Sequence, residues 1–167
     1  LFWPLLKPAS SVEILAHRML WSLVFLVGVN SVRANWRAIW LVLRNPRFLR
    51  LLGAAAVLIT INWGLYIWAV NANRVVDASL GYFINPLINV AMGVLVFREK
   101  LRRTQWLAVG LAGVGVLWLT LNAGAFPWIG LTLGFTFATY GMVKKVAGVD
   151  AVESLTVETL LLMPFAL

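Results

Sequence analysis

The sequence predicts an all-α fold, a polytopic bundle of membrane-spanning helices, and three observations carry that reading. Hydrophobic residues make up 62% of the chain and charged ones 12%, whereas a soluble domain is about half apolar and about a quarter charged. The apolar residues gather into runs close to twenty long, separated by short polar stretches. A helix of about 20 residues rises about 30 Å, the thickness of a bilayer's hydrocarbon core. The third observation is the placement of the positive charges, which alternates from one connection to the next.

In chain order, residues 1–6 read as the tail of a helix whose start is missing, so the chain is expected to be a piece lacking both ends. Lys7 to Ser10 reads as a turn, with Ser10 or Ser11 capping the next helix. The first complete span covers about 11–29. Residues 30–50 form a polar connection holding a short amphipathic helix around 36–44. The second span covers 51–70, the third 78–97, the fourth 105–121 and the fifth 126–143. A sixth begins near 153. Trp3, Trp36, Trp106 and Trp128 fall near span ends, as an interfacial aromatic belt requires.

The connection at 30–50 carries Arg33, Arg37, Arg44, Arg47 and Arg50, and the next carries Arg74 alone. The third carries Arg98, Lys100, Arg102 and Arg103, the fourth none, and the fifth Lys144 and Lys145. The positive-inside rule places loops 30–50, 98–104 and 144–152 in the cytoplasm. The net charge of +8 is thereby read as a topology signal. The expected partner is the lipid bilayer, and a nucleic-acid partner is not expected. The chain has no cysteine, which excludes disulfides and thiolate metal sites. One histidine cannot build a multi-histidine metal centre. No Walker loop, HExxH or nucleophile elbow is present, so neither an enzyme nor a cofactor is expected.

The most informative stretch is residues 81–89, GYFINPLIN, in the middle of an uncharged run. Pro86 lacks an N–H and deprives a carbonyl one turn back of its partner. Asn85 and Asn89 carry amides that hydrocarbon cannot solvate. Spacings of three and four put Tyr82, Asn85 and Asn89 on one helix face, which must look into protein or water. Asn62 and Tyr66, four apart in the second span, form another polar face that Asn73 continues. Asn62, Tyr66, Tyr82, Asn85 and Asn89 are the candidates for a substrate path, with Pro86 as a bend or an unwound point. The competing reading is packing, with the amides bonded between helices. Trp63 and Trp68 lie deeper than the belt and either line a pocket or fill the core.

Glu13, His17, Arg18 and Glu158 are ionisable groups inside spans and are candidates for charge recognition or proton coupling. Against this, Glu13 lies where a helix N-terminus favours a carboxylate, and an arginine can snorkel. Gly130 and Gly134 form a GxxxG pair, and Gly110, Gly113 and Gly115 crowd the fourth span. Such faces allow close helix contact and are compatible with a monomer or a homodimer.

A shift of 140 residues aligns Val12, Glu13 and Leu15 with Val152, Glu153 and Leu155, and Leu20 with Leu160. The shift covers five spans, an odd number, so the second copy would be inverted, a recurrent plan of secondary transporters. It also pairs Arg18 with Glu158, but inversion places them near opposite faces, so each is expected to have its own partner.

Three segments together resemble a known family: residues 13–22, EILAHRMLWS; 78–89, ASLGYFINPLIN; and 97–107, FREKLRRTQWL. The last resembles the pattern that broadly marks EamA domains of the drug/metabolite transporter superfamily. The first two resemble its RarD-like group. The resemblance implies ten transmembrane helices in two inverted five-helix repeats, cytoplasmic termini, a bacterial inner-membrane location and a central cavity. This chain would be a fragment, with 1–122 the first repeat lacking most of its first helix and 126–167 the start of the second. The implied function is a permease moving a small metabolite or drug-like molecule by alternating access, with proton coupling as an option. The piece alone is not expected to transport. The alternative is a non-transporting scaffold or partner subunit assembled through the glycine faces.

Overall fold

A computed structural model describes residues 10–123 and 126–166, and all regular structure among them is helical. The expectations placed on residues 1–9, including the turn from Lys7 and the belt position of Trp3, lie outside the described residues. Seven helices come in order: α1 Ser11–Arg33, α2 Trp36–Arg44, α3 Pro46–Asn71, α4 Val75–Leu95, α5 Arg103–Ala123, α6 Trp128–Ala147 and α7 Ala151–Ala166. Among the described residues, α1, α3, α4 and α5 are long and apolar enough to cross a membrane.

Local chemistry explains the boundaries. Ser10 caps α1: its Oγ accepts from the Glu13 N–H at 3.2 Å, and Glu13 Oε2 accepts from the Ser10 N–H at 2.9 Å. This reciprocal box satisfies two donors that a helix start leaves open. Asn45 caps α3 by accepting from the Arg47 N–H, with Pro46 as the first helical residue. Gly148, with φ of 62°, ends α6 in a left-handed conformation.

The helices exceed the apolar runs at several ends. α3 begins at Pro46 rather than 51, and α6 continues to Ala147 rather than 143. Hydropathy stops at the first cluster of charges, whereas a helix stops at its cap. The polar connection at 30–50 therefore shrinks to a turn on either side of α2. Lys144 and Lys145, expected as loop charges, lie in the last turn of α6.

The hub is α6, which packs against α3 and α4, while α1 packs against α7. Close approach of α4 and α6 depends on glycine. A Cβ on Gly130 would stand 3.1 Å from the Gly81 backbone nitrogen, and one on Gly134 3.1 Å from Ile84 Cγ2. In α5 the outcome differs: a Cβ on Gly110, Gly113 or Gly115 meets nothing within 4 Å. No described side chain of α5 is buried. A helix apolar all round suits either lipid or the cover of further helices, and among the described helices α5 meets α4. Two small apolar clusters hold the rest: Ile39, Val42, Leu52, Ala147 and Val157, and, at the other junction, Ala69, Ala78, Ile129 and Leu133.

α4 remains helical through Pro86 from Val75 to Leu95. The expectation of an unwound point at Pro86 is corrected. Membrane helices tolerate proline where local adjustment and neighbours compensate the lost bond.

Candidate functional site

A cavity of about 220 Å³ opens between α3, α4 and α6. α3 contributes Asn62, Trp63 and Tyr66, the outer two four apart and so about one helical turn on one face. α4 contributes Tyr82 and Asn85, three apart, and α6 contributes Phe137. Gly81 also lines it, where an added Cβ would stand 3.0 Å from Leu133 Cβ and 3.2 Å from the Gly130 carbonyl oxygen of α6. The structure thus brings Asn62, Tyr66, Tyr82 and Asn85 around one space.

The walls are mainly aromatic. Tyr66 meets Trp63 edge-on with ring centres 5.8 Å apart, and meets Tyr82 edge-on at 6.2 Å. Behind this wall, the Arg18 guanidinium from α1 lies 3.1 Å from the centre of the Trp63 ring. An arginine over an indole face is an attractive cation–π contact, stronger when desolvated. Arg18 thus touches the cavity wall through Trp63.

The amides behave differently from one another. Asn62 Nδ2 donates to the Leu133 carbonyl at 2.8 Å and to Thr136 Oγ1 at 2.9 Å, tying α3 to α6. Asn89 Nδ2 donates to Asn85 Oδ1 at 3.1 Å, so these two pair along their own helix. Asn89 and Pro86 lie outside the cavity. Asn89 faces a second hollow of about 290 Å³ bordered by Met92, Phe97, Glu99 and Lys145. Across its rim Lys145 Nζ reaches Glu99 Oε1 at 3.0 Å. Asn73 is the left-handed residue, φ 59°, of the turn from α3 to α4.

The ionisable candidates are dispersed. Glu13 is held in the capping box and His17 is exposed. Glu158 is buried and binds Lys144 Nζ at 2.7 Å through Oε1, while Oε2 accepts from the Tyr140 hydroxyl at 3.2 Å. Lys144 Nζ also donates to Ser154 Oγ. Arg18 and Glu158 therefore have separate partners.

Sequence reasoning gave no role to Tyr140 or Phe137 and took Lys144 only as a loop charge. Lys144 was masked by its place in a charged stretch. The other two look like ordinary span residues until the neighbouring helix is known. Among the described residues no three potential metal ligands gather.

Comparisons with known proteins agree with this architecture. The model of the EamA-like transporter family matches residues 4–121. Protein RarD of Streptomyces exfoliatus is 56% identical over 97% of this chain and 51% of its own length. Protein RarD of Salmonella typhi is 46% identical over 99% of the chain and 56% of its own length. An uncharacterized transporter of Bacillus subtilis, YojE, is 43% identical over 100% of the chain and 57% of its own length. The chain spans about half the length of these curated relatives. No solved structure matches. With a family model covering most of the chain and RarD proteins aligned along nearly all of it, the chain belongs to the EamA-like transporter family as a RarD-like member.

Proposed function

We propose that the protein is a multi-pass permease of the bacterial inner membrane that moves a small metabolite or drug-like molecule by alternating access. The observation that carries this reading is the cavity between α3, α4 and α6. It places amide and phenol groups, Asn62, Tyr66, Tyr82 and Asn85, inside helices otherwise built for lipid. Ligand sites have this composition, mostly apolar and aromatic with a few placed polar groups. At about 220 Å³ the space lies below the ~300–1,000 Å³ usual for ligand pockets. The wall is completed, in this reading, by the further length that the relatives have. The basic segments 30–50, 98–104 and 144–152, helical over much of the first and at the start of the last, face the cytoplasm, as their basic residues favour. Arg18 tunes the wall through Trp63, and coupling to a proton is part of the proposal.

One observation favours the scaffold reading: both hydrogen bonds given by the Asn62 amide nitrogen go to α6. The two are separated by a binding screen on the intact protein in detergent. Compounds that raise its unfolding midpoint are retested on Asn85→Leu and then for counterflow in liposomes. A permease yields ligands that lose at least tenfold in affinity in the variant and that exchange across the vesicle. Binders that are never exchanged would move the scaffold reading ahead.

A further inference from the structure

The helix faces that line the cavity run on beyond it. On α4, Tyr82 and Asn85 of the cavity are followed at helical spacing by Asn89 and Gly93 of the second hollow. On α6, Leu133 and Phe137 are followed in the same way by Gly141 and Lys145. Cavity and hollow are thus consecutive stretches of one groove between α4 and α6. The hydrogen bond from Asn89 to Asn85, at 3.1 Å, crosses from one to the other. From Asn85 to the end of α4 at Leu95 is about 15 Å of helix, half of a bilayer's ~30 Å. That half ends at the basic segment 98–104.

The mouth of the groove is closed by side chains from two elements. Arg98 takes a φ of 54°, a left-handed conformation uncommon for any residue but glycine. The chain reverses there, and the Glu99 N–H donates to the Gly93 carbonyl at 3.1 Å. The reversal lays the Glu99 carboxylate over Gly93, where an added Cβ would stand 2.9 Å from Oε2. The other oxygen, Oε1, accepts from Lys145 Nζ of α6 at 3.0 Å. The same ammonium lies 4.1 Å from the centre of the Phe97 ring. Both charged side chains are more than half exposed, and an exposed ion pair is weak enough to break and re-form readily. The neighbouring Lys144 is instead held by Glu158, which is buried. A seam that holds needs the second kind of pair, and a contact that opens and closes needs the first.

We propose that this groove continues the substrate path from the cavity to the cytoplasmic side, and that Glu99, Lys145 and Phe97 form the gate at its mouth. Breaking the pair frees the connection after α4 from the end of α6 and opens the hollow; re-forming it closes the hollow. The inference rests on the permease reading and adds to it the inner half of the path and the residues that govern it.

The test is the rate at which a membrane-impermeant thiol reagent, applied from the cytoplasmic side, labels Asn89→Cys in the intact protein in vesicles, with every other cysteine removed. Glu99→Lys and Lys145→Glu each set like charges across the mouth, and each is expected to raise the rate about threefold or more. The two combined restore an opposite pair and should return the rate to near its starting value. Gly141→Phe should lower the rate by filling the hollow, since an added Cβ there meets nothing within 4 Å. No labelling in any variant, rates indifferent to both reversals, or a double variant as fast as the single ones would overturn the proposal. A compound whose affinity falls in Asn85→Leu should bind Glu99→Lys unchanged. Failure to find any such compound counts against the permease reading, whereas indifferent labelling counts against the gate, so the two fail separately.

Discussion

Two polar regions lie inside the same apolar bundle and are built in opposite ways. Between α3, α4 and α6, phenols and amides surround an open space, and Tyr82 remains 63% exposed. Between α6 and α7, Lys144, Glu158, Tyr140 and Ser154 close on one another, and Glu158 is 1% exposed. The difference teaches that a polar group in a membrane helix does not by itself mark a functional surface. What separates the two regions is cover: the groups of the first border an open space, whereas those of the second are closed off by one another. Asn62 belongs to both kinds, since it lines the cavity while its amide is bonded to α6.

The sealed region is where removal costs most. Glu158→Ala leaves the Lys144 ammonium without its counter-ion in a mostly buried seam. A loss on the order of 3 kcal/mol is expected, seen as a lowered unfolding midpoint in detergent. The pair Lys144→Ala with Glu158→Ala should recover part of it. A loss in the double variant equal to the sum of the two single losses would show that the two charges are not coupled.

Next come the glycines that bring α4 and α6 together. A Cβ at Gly130 meets the Gly81 nitrogen, Leu80 Cβ and the Asp77 carbonyl within 3.2 Å, two of them backbone atoms that cannot swing aside. Gly130→Ala is expected to cost about 1–3 kcal/mol by overpacking. Gly110→Ala in α5, where the added carbon meets nothing, should instead gain up to about 1 kcal/mol of helix propensity. Thermal unfolding of the two side by side checks the contrast.

Asn30→Leu should cost about 1 kcal/mol. It removes the bond to Thr156, but Thr156 Oγ1 keeps the Val152 carbonyl as acceptor, and the orphaned Asn30 oxygen disappears too. The smallest effect belongs to the open region. Asn85→Leu and Asn89→Leu lose only their mutual bond at 3.1 Å on a partly exposed face, so stability should stay within about 0.5 kcal/mol. A loss above about 2 kcal/mol in either would place these amides in the sealed class.

The sequence made much of the cavity visible, for a physical reason. Helical spacing puts Tyr82 beside Asn85 and Asn62 beside Tyr66, and polar residues stand out against an apolar run. Those facts depend on one helix at a time. Which helices face each other does not, and so Phe137 and the Arg18–Trp63 contact were not legible. Lys144 was misread because charge counting places residues in loops, whereas the helix runs on to its cap at Gly148. Of the two readings of Pro86, the unwound point is excluded, since α4 stays helical through it. Glu13 and Glu153 match under the 140-residue shift, yet one caps an exposed helix start and the other is buried by α1. Burial, which no local pattern encodes, decided the difference.

The central claim is that the face bearing Tyr82 and Asn85 meets water within the membrane. The chain contains no cysteine, so single cysteines can be introduced and probed with a membrane-impermeant thiol reagent from each side of the intact protein in vesicles. The account predicts labelling at Tyr82→Cys and Asn85→Cys and none at Ile84→Cys, whose side chain is buried against Gly134 of α6. Folded protein that labels at none of these positions from either side would contradict it.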